Sequence, residues 1–182
     1  MLLVDHQIKD YVEKYRMIDP FVDHQVRDGI SYGLGSAGYD IRIANEWKHS
    51  IYMLDVLDPK KPSEREWDSY TSDGPQILPA NSIILGRSLE YIRMPRDVMA
   101  IVLTKSTYAR AGIFCNITPL EVAWNGFITI EIANLINVPV IIYPNEGIAQ
   151  ILFFKTDEQC DISYADRKGK YQGQLGVTLA RI

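Results

Sequence analysis

The sequence predicts a mainly β protein, folded as a compact antiparallel sandwich or distorted barrel with one N-terminal helix. Short apolar runs rich in Ile, Val and Tyr alternate with turn residues over most of the 182 residues. The runs are YDIRI, SIILGR, LEYIRM, VMAIVL, FITIEI, PVIIY and AQILFF. Turn sequences such as LPAN (78–81) and PNEG (144–147) fall between them. No helical pattern separates the runs, so parallel βαβ units are not expected.

The predicted helix lies near the start of the chain, where apolar residues such as Ile8 and Val12 recur at intervals of four. Asp5 is its predicted N-cap, and the helix is expected to end before the Asp-Pro pair at 19–20.

Two segments do not fit the strand pattern. Residues 55–76 are longer than most connections, and we predict a surface excursion or a cover over something. The tail from residue 159 is polar and Gly-rich but carries tyrosines and a last apolar run, so we predict an arm that docks. The expected organisation is therefore a single domain, 1–182, with a C-terminal arm at about 159–182 that closes over the active site.

Composition excludes several classes of protein. A net charge of -4 and a pI near 5.4 argue against a duplex nucleic-acid binder, which needs a basic face. No stretch approaches the length of a membrane span, and the start MLLVDHQIKD lacks the basic head of a signal peptide. We therefore expect a cytoplasmic protein that binds neither membrane nor nucleic acid, with reduced, inert thiols at Cys115 and Cys160.

Glu131 is the candidate for acid–base chemistry, in the strand FITIEIANL at 127–135. The isoleucines at 128, 130 and 132 form one apolar face, so the Glu131 side chain points the other way. Its own face is mixed, which is typical of a cleft or an interface. A carboxylate partly desolvated there would have a raised pKa, useful for proton transfer. The pattern alone nevertheless favours the alternative, a solvent-facing strand glutamate.

A second candidate site is TKSTYARAGI, residues 104–113. Lys105, Ser106, Thr107 and Arg110 place two cations and two hydroxyls within six residues. In one helical turn Ser106 and Arg110 would share a face, and such a turn suits a phosphate group. The alternative is an ordinary exposed turn, because no glycine-rich loop precedes it.

The arm adds Arg167, Lys168 and Lys170 among tyrosines and glutamines, a mixture that can close over a nucleotide. A solvated tail is the more common structure for such a run. Zinc chemistry is not indicated, because the three histidines are scattered and neither His-x-Glu nor Pro-Cys-x-x-Cys occurs. A serine–histidine–aspartate triad is not indicated either.

Five segments together resemble the dCTP deaminases of the dUTPase-like superfamily. They are SAGYDIRI (36–43), KSTYARAGI (105–113), NITPLEVAWNGFITIEIAN (116–134), IYPNEGIAQILFF (142–154) and SYADRKGKYQGQ (163–174). The resemblance implies a dUTPase-like β-clip, that is, a distorted β-barrel or jelly roll with one N-terminal helix and short helical turns. It also implies a homotrimer with shared active sites.

The activity that the resemblance implies is zinc-independent hydrolysis of the 4-amino group of dCTP to give dUTP and ammonia, in pyrimidine deoxynucleotide biosynthesis. Mg²⁺ is expected to accompany the triphosphate, and dTTP is the expected inhibitor. Glu131 matches the general acid and base, and Ser106 and Arg110 match residues that place the attacking water and the pyrimidine. Further matching positions contact substrate: Lys105, Thr107, Tyr108 and Ala109 at the triphosphate, Thr129 and Ile130 at the base, and Gln150, Tyr164, Lys170 and Gln174 at the sugar and phosphates.

The chain departs from the family pattern at a few positions. Thr104 stands where a glycine often precedes Lys-Ser, and Val122-Ala123 replace a Pro-Gly, so the turn at Ala123 could lose the freedom of a glycine. Glu121 falls where the superfamily tends to carry the water-activating aspartate of dUTPases. Here we predict a loop carboxylate that orders the site by hydrogen bonding.

Two further functions stay open from the sequence. One is a bifunctional enzyme that releases dUMP and diphosphate. The other is a trimeric nucleotide-binding module without turnover. A plain dUTPase is disfavoured, because the chain lacks the Gly-rich C-terminal phosphate loop and the Asp-x-Asp-Tyr-Arg-Gly type motif of that branch.

Overall fold

The structure, a computed structural model, describes residues 1–50 and 58–181. It contains two α-helices, a short 3-10 helix at Glu64–Glu66 and twelve strands in these described ranges. The helices are α1 Asp5–Tyr15 and α2 Ser106–Arg110. The strands are β1 Ile18–Asp19, β2 Gln25–Val26, β3 Tyr32–Gly35, β4 Gly38–Ser50, β5 Trp67–Thr71, β6 Gln76–Leu78, β7 Ile83–Arg93, β8 Val98–Thr104, β9 Ile113–Asn116, β10 Asn125–Asn134, β11 Val140–Ile142 and β12 Gly147–Lys155.

The long strand β4 joins the two halves of a curled, antiparallel sheet. Its first part pairs with β3 and β12, and its last part pairs with β5 and β7. From β12 the sheet continues to β8, and from β7 it continues to β10 and then β9. β6 and β11 form a separate two-stranded pair. The predicted mainly β class with a curled, barrel-like sheet is confirmed.

The core lies inside this curled sheet. Ile128, Ile130 and Ile132 of β10 are at most 2% exposed and belong to the same buried cluster as Trp47 and Phe153. The period-two pattern of FITIEI therefore predicts the correct core face, because alternate side chains of a strand lie on opposite sides.

The runs SIILGR and LEYIRM form one strand, β7. Its register against β10 shifts between them, since Phe127 lies opposite Tyr91 but Thr129 lies opposite Arg87. Such a bulge bends a strand without ending it. Ser88 stabilises the irregularity, as its hydroxyl accepts a hydrogen bond from a backbone N–H of β10 at 2.8 Å.

Helix α1 forms where the sequence predicts it, but the prediction of Asp5 as its N-cap is wrong. Val4 is the N-cap, and Asp5 is the first helical residue. The residues before the helix are held extended against β12, with the Leu3 N–H donating to the Phe153 carbonyl at 2.9 Å, and the helix begins one residue earlier than an Asp5 cap would place it. The Gln7 side chain accepts the Val4 N–H at 3.1 Å instead.

The segment 55–76, predicted as a surface excursion or a cover, contains regular structure in its described part. Residues 55–57 lie outside the described residues, but β5 pairs with the end of β4 and β6 pairs with β11. The sequence does not show these strands, because each pairs with a partner that is distant along the chain. β5 pairs with the free edge at the end of β4. No helix in the described part of the chain is long and apolar enough to cross a membrane.

Candidate active site

A cleft of about 940 Å³ opens beside β10. One wall is the loop before β10, another is the segment 58–67, and the C-terminal arm lies across it. We call it the Glu131 cleft. The residues that line it include Ile117, Thr118, Glu121, Trp124, Thr129, Glu131, Tyr164, Arg167, Lys170 and Gln174. The expectation that the 55–76 excursion covers something holds for its described residues 58, 59, 62, 66 and 67, which line this cleft.

Glu131 points into the cleft from the middle of β10, between Leu85 on β7 and Asn116 on β9. Burial raises the pKa of its carboxyl to about 7, because desolvation disfavours the charged form. None of the ion pairs among residues 1–50 and 58–181 involves Glu131. Glu131 is half-buried and faces this cleft, and a carboxyl with so raised a pKa can both accept and donate a proton near neutral pH.

The edge of β10 beside Glu131 is only partly covered. β9 pairs with Glu131 and the residues after it, and the arm pairs with the other end at Gly126 and Phe127. Thr129 lies between these two pairings. Residues 127, 129 and 131 present their backbone groups to the same side of the strand, because these alternate along an antiparallel strand. The N–H and C=O of Thr129 therefore face the gap, where a flat ring could bind.

The arm lies along β10. The Phe127 N–H donates to Gln174 O at 3.0 Å, and the Gly173 N–H donates to Asn125 O at 2.8 Å. The Trp124 indole N–H donates to Tyr171 O at 3.0 Å. Since both ends of this segment are hydrogen-bonded to the body of the protein, the arm closes over the Glu131 of its own chain.

Two glycines allow the close contacts of the arm. A Cβ on Gly126 would lie 3.0 Å from the Gln174 side chain, and its φ of 150° is also rare for other residues. A Cβ on Gly169 would lie 2.1 Å from the Tyr164 ring. Both positions therefore require glycine for the arm to lie as it does.

Three predicted arm residues line the cleft with Glu131. Tyr164 is packed against the core, and its hydroxyl accepts the Tyr171 N–H at 3.0 Å. The Gln174 amide donates to the Thr129 hydroxyl at 3.3 Å. Lys170 donates to a backbone carbonyl near the end of the chain, at Arg181. The structure thus brings together Glu131, Thr129 and the arm, while the side chain of Ile130 faces the core and only its backbone could meet a base.

Ser106 and Arg110 lie elsewhere. They form the first and last residues of α2, with the Arg110 guanidinium donating to the Ser106 carbonyl at 3.4 Å. α2 precedes β9, whose Ile113 pairs with Asn134 at the far end of β10, about 10 Å along the strand from Glu131. Neither residue lines the Glu131 cleft of the same chain, as the described residues define it.

The other residues predicted at the triphosphate lie with α2. The Lys105 ammonium forms an ion pair with Asp40, whose side chain is only 5% exposed, and Gln150 is the strand partner of Asp40. Thr107 and Ala109 are exposed on α2. Tyr108 is buried, and its hydroxyl accepts the N–H of residue 143 at 2.9 Å, so only its backbone could reach a nucleotide.

The structure shows how the chain accommodates its departures from the family pattern. The Thr104 hydroxyl accepts the Cys115 N–H at 2.8 Å and so ties β8 to β9. Ala123 adopts a φ of 62°, the left-handed conformation of a glycine, so the turn survives with strain. Cys115 and Cys160 are free thiols, and burial raises the pKa of the Cys115 thiol to about 12.

Sequence reasoning missed the partners of two charged site residues. Asp40, inside the quoted segment SAGYDIRI, holds Lys105, and Arg167 of the arm contacts both carboxylate oxygens of Glu121. Both pairs join segments distant along the chain, so no short-range pattern could have shown them. In the residues that the structure describes, no group of three or more His, Cys, Asp or Glu side chains is placed to hold a metal ion.

Comparisons with known proteins agree on one family. The profile of a family described as dCTP deaminase-like matches residues 2–156. A dCTP deaminase of Herpetosiphon aurantiacus is 51% identical over 180 residues, covering 98% of this chain and 97% of that protein. One of Chloroflexus aggregans is 52% identical over 180 residues, covering 98% and 96%.

A solved structure supports the same fold. The crystal structure of a 2'-deoxycytidine 5'-triphosphate deaminase from Agrobacterium tumefaciens superposes with a TM-score of 0.66 at 16% identity. The match covers 84% of this chain and 47% of that one, so this chain corresponds to about half of the larger protein.

Proposed function

This chain belongs to the dCTP deaminase-like family, and we propose that its Glu131 cleft is where the 4-amino group of dCTP is hydrolysed. The enzyme is a hydrolytic dCTP deaminase. The observation that carries the assignment of the site is the Glu131 carboxyl itself, which lies in a partly dry cleft with a pKa of about 7. Burying an ionisable carboxyl lowers the stability of the folded protein, and a protein that only binds nucleotide gains nothing from that loss.

The reaction needs one proton acceptor that then acts as a donor. Glu131 takes a proton from a water molecule as the water oxygen bonds to C4 of the cytosine ring, and it passes that proton to ring N3. The carboxylate then accepts the remaining hydroxyl proton and protonates the amino group. The C4–N bond breaks, ammonia leaves and C4 becomes a carbonyl, which restores the Glu131 carboxylate.

The base is placed by the gap in the edge of β10. We assign the Thr129 backbone to the polar edge of the pyrimidine, because its N–H and C=O face the gap beside Glu131. Carbonyls near Ile117 or Thr118, on the opposite lip of the cleft, are the candidates to hold the water. Tyr164, with Lys170 and Gln174 of the docked arm, is assigned to the sugar and phosphates. These remote contacts supply binding energy for the positioning.

The site is completed by a second copy of the chain in a homotrimer. Within one chain, Ser106 and Arg110 of α2 do not line the Glu131 cleft. Both side chains are exposed and do not pack in the core, so they are available to a neighbouring subunit. Apolar side chains near α2 are exposed as well, with Phe114 at 50% and Leu135 at 65%, which suits an interface between copies. We propose that Ser106 and Arg110 of one subunit face Glu131 of the next.

Mg²⁺ is proposed to arrive with the triphosphate. The described residues contain no carboxylate cluster for it, but Mg²⁺ commonly binds through phosphate oxygens and water, which requires none. The cation would neutralise phosphate charge, and the protein side chains carry out the proton transfers. dTTP is the proposed inhibitor, because it offers the same triphosphate and a pyrimidine without an amino group to release. We further infer a cytoplasmic enzyme, since its substrate is a nucleotide of the DNA precursor pool.

Product analysis tests this function. The wild type, given dCTP and Mg²⁺, is expected to release ammonia and accumulate dUTP, since Glu121 is engaged by Arg167 and is not free to activate a second water. Glu131→Gln is expected to lose at least about a hundredfold in rate, the usual scale of general acid–base effects. Glu13→Gln, on the exposed face of α1, is the control and should keep wild-type activity.

Three outcomes would contradict parts of the proposal. Comparable rates for wild type and Glu131→Gln would remove Glu131 from the chemistry. Direct release of dUMP would establish the bifunctional reaction. A wild type that deaminates no cytosine deoxynucleotide would leave the nucleotide-binding module as the better description.

A further inference from the structure

The base of the arm is held by side chains and by a backbone hydrogen bond, in which the Tyr164 N–H donates to the Val122 carbonyl at 3.2 Å. One guanidinium nitrogen of Arg167 contacts both carboxylate oxygens of Glu121, in the loop before β10. The Arg167 guanidinium also lies 5.1 Å from the centroid of the Tyr164 ring. Charge-assisted hydrogen bonds between arginine and a carboxylate are among the stronger ones, and stacking on an aromatic ring adds to them.

This contact is coupled to the part of the arm that closes the cleft. Tyr164 lies under Arg167 and accepts the backbone N–H of Tyr171 at 3.0 Å, so residues 164–171 form a closed turn. The carbonyl of Tyr171 in turn accepts the Trp124 indole N–H at 3.0 Å. The contacts of Arg167 therefore help to hold Tyr171 in place, and from there the chain continues to Gln174.

The contact is also suited to opening. The Arg167 and Glu121 side chains are 51% and 46% exposed, and exposed ion pairs have small free energies. Such a pair can bias an arm between open and closed positions without locking it. A second pair, Arg96 with Asp166, ties the preceding residue of the arm to the loop before β8, and Asp166 also caps the turn that begins at Ser163.

We propose that Arg167 and Glu121 are positioning residues that latch the arm closed over the Glu131 cleft of the same chain. For its kinetic consequence this inference rests on the proposed function. Lys170 and Gln174 reach the nucleotide only with the arm, so the apparent affinity for dCTP falls with the closed fraction. A saturating nucleotide closes the arm through its own contacts, and kcat is therefore spared.

The test uses the full-length protein with Glu121→Gln, Arg167→Gln and the charge-swapped pair Glu121→Arg with Arg167→Glu. The control is Lys155→Gln, whose ammonium lies 3.9 Å from Asp97, is 45% exposed and is not part of the cleft lining. Hydrogen–deuterium exchange without nucleotide reports arm closure through the Phe127 and Gly173 amides, which donate between arm and β10. Steady-state kinetics with dCTP report KM and kcat.

The loss of an exposed ion pair is expected to lower the closed-to-open ratio of the arm about fivefold. In an arm divided about evenly between the two states, each single variant should then exchange these amides nearly twofold faster and raise KM about threefold, with kcat within about twofold of wild type. The swapped pair should recover both readouts, and the control should match wild type. Wild-type exchange in the single variants would overturn the latch. So would a loss in kcat without faster exchange, which would place Glu121 in the chemistry, or a swapped pair as open as the single variants.

The two proposals fail separately. Hydrogen exchange at the arm does not depend on turnover. If the wild type releases no ammonia, the proposed function is wrong, but the effect of the Arg167–Glu121 contact on arm closure can still be measured. Faster exchange with unchanged KM would overturn the link between the latch and nucleotide affinity.

Discussion

At the scale of single residues, Glu131 shows how position gives a side chain its chemistry. Its neighbours along the strand are isoleucines that face the core, while the carboxyl enters a cleft roofed by the arm. The fold therefore holds an acid where water is scarce, and the pKa of about 7 is the result. The same desolvation that prepares the group for proton transfer disfavours its charged form in the folded protein.

The desolvation of Glu131 predicts that the free energy of unfolding depends on pH. The pKa of Glu131 is raised from 4.5 to about 7, so its favourable contribution is complete below the unfolded value and is lost as the pH rises through about 7. Glu131→Gln carries no charge at any pH. We expect it to exceed wild type in free energy of unfolding by ~1–2 kcal/mol at pH 8, a value reduced for the partial exposure of the group, and by little near pH 4.5.

Denaturant unfolding at both pH values, at one fixed protein concentration, measures this difference. Glu13→Gln is again the control for removing an exposed carboxylate. Equal stabilities of wild type and Glu131→Gln at pH 8 would contradict the raised pKa.

At the scale of elements, the loop from Glu121 to Trp124 contacts the arm and leads directly into β10. Its Trp124 holds the arm through the indole N–H, and the Ala123 carbonyl accepts the Gln172 amide at 3.1 Å. Ala123 is in the left-handed region at a φ of 62°, which strains any residue with a Cβ. The loop thus keeps the conformation that a glycine would give, at some expense in stability.

Relieving this strain should stabilise the protein. Ala123→Gly is expected to raise the free energy of unfolding by ~0.5 kcal/mol, because the gain at a positive φ exceeds the added flexibility of the unfolded chain. Ala133→Gly is the matched control, since Ala133 is also half-buried but extended in β10, and it should lower the free energy of unfolding. Both are measured by denaturant unfolding. Destabilisation of the same size in both variants would contradict strain at Ala123.

At the scale of the whole molecule, the predicted site residues fall into two groups that one chain does not bring together. One group surrounds Glu131 and includes the arm, and the other surrounds α2 with Ser106 and Arg110. The separation follows from topology, because α2 precedes a strand that pairs with the far end of β10. Assembly is the way in which both groups could act on one nucleotide.

Mixed assemblies test this directly. Glu131→Gln and Arg110→Gln are each expected to be nearly inactive, but co-expressed subunits should regain activity, because some sites combine an intact Glu131 with an intact Arg110 from a neighbour. In randomly mixed trimers about a quarter of the sites are intact. Ammonia release from purified mixed trimers measures the recovery.

The control mixes Ser106→Ala with Arg110→Gln. Both changes lie on α2, so no site receives an intact pair from one chain, and activity should not return. A lack of recovery in the first mixture would place Glu131 and Arg110 of the same chain in one site.

The sequence by itself determined the β class, the core face of β10 and the helix near the start of the chain. Each of these follows from a short-range pattern, either alternation of side chains or spacing by four. Glu131 was identified as a candidate on the same basis, but its burial was not, since alternation shows which way a side chain points and not what covers it.

Only the tertiary structure decided which residues meet. The Asp40–Lys105 and Glu121–Arg167 pairs join positions 65 and 46 residues apart, and the pKa of Glu131 depends on the cleft that the loop and arm build around it. The start of α1 at Asp5 likewise follows from the pairing of the preceding residues with β12. Electrostatic and packing terms act across space, and the fold alone sets the distances between segments remote in the chain.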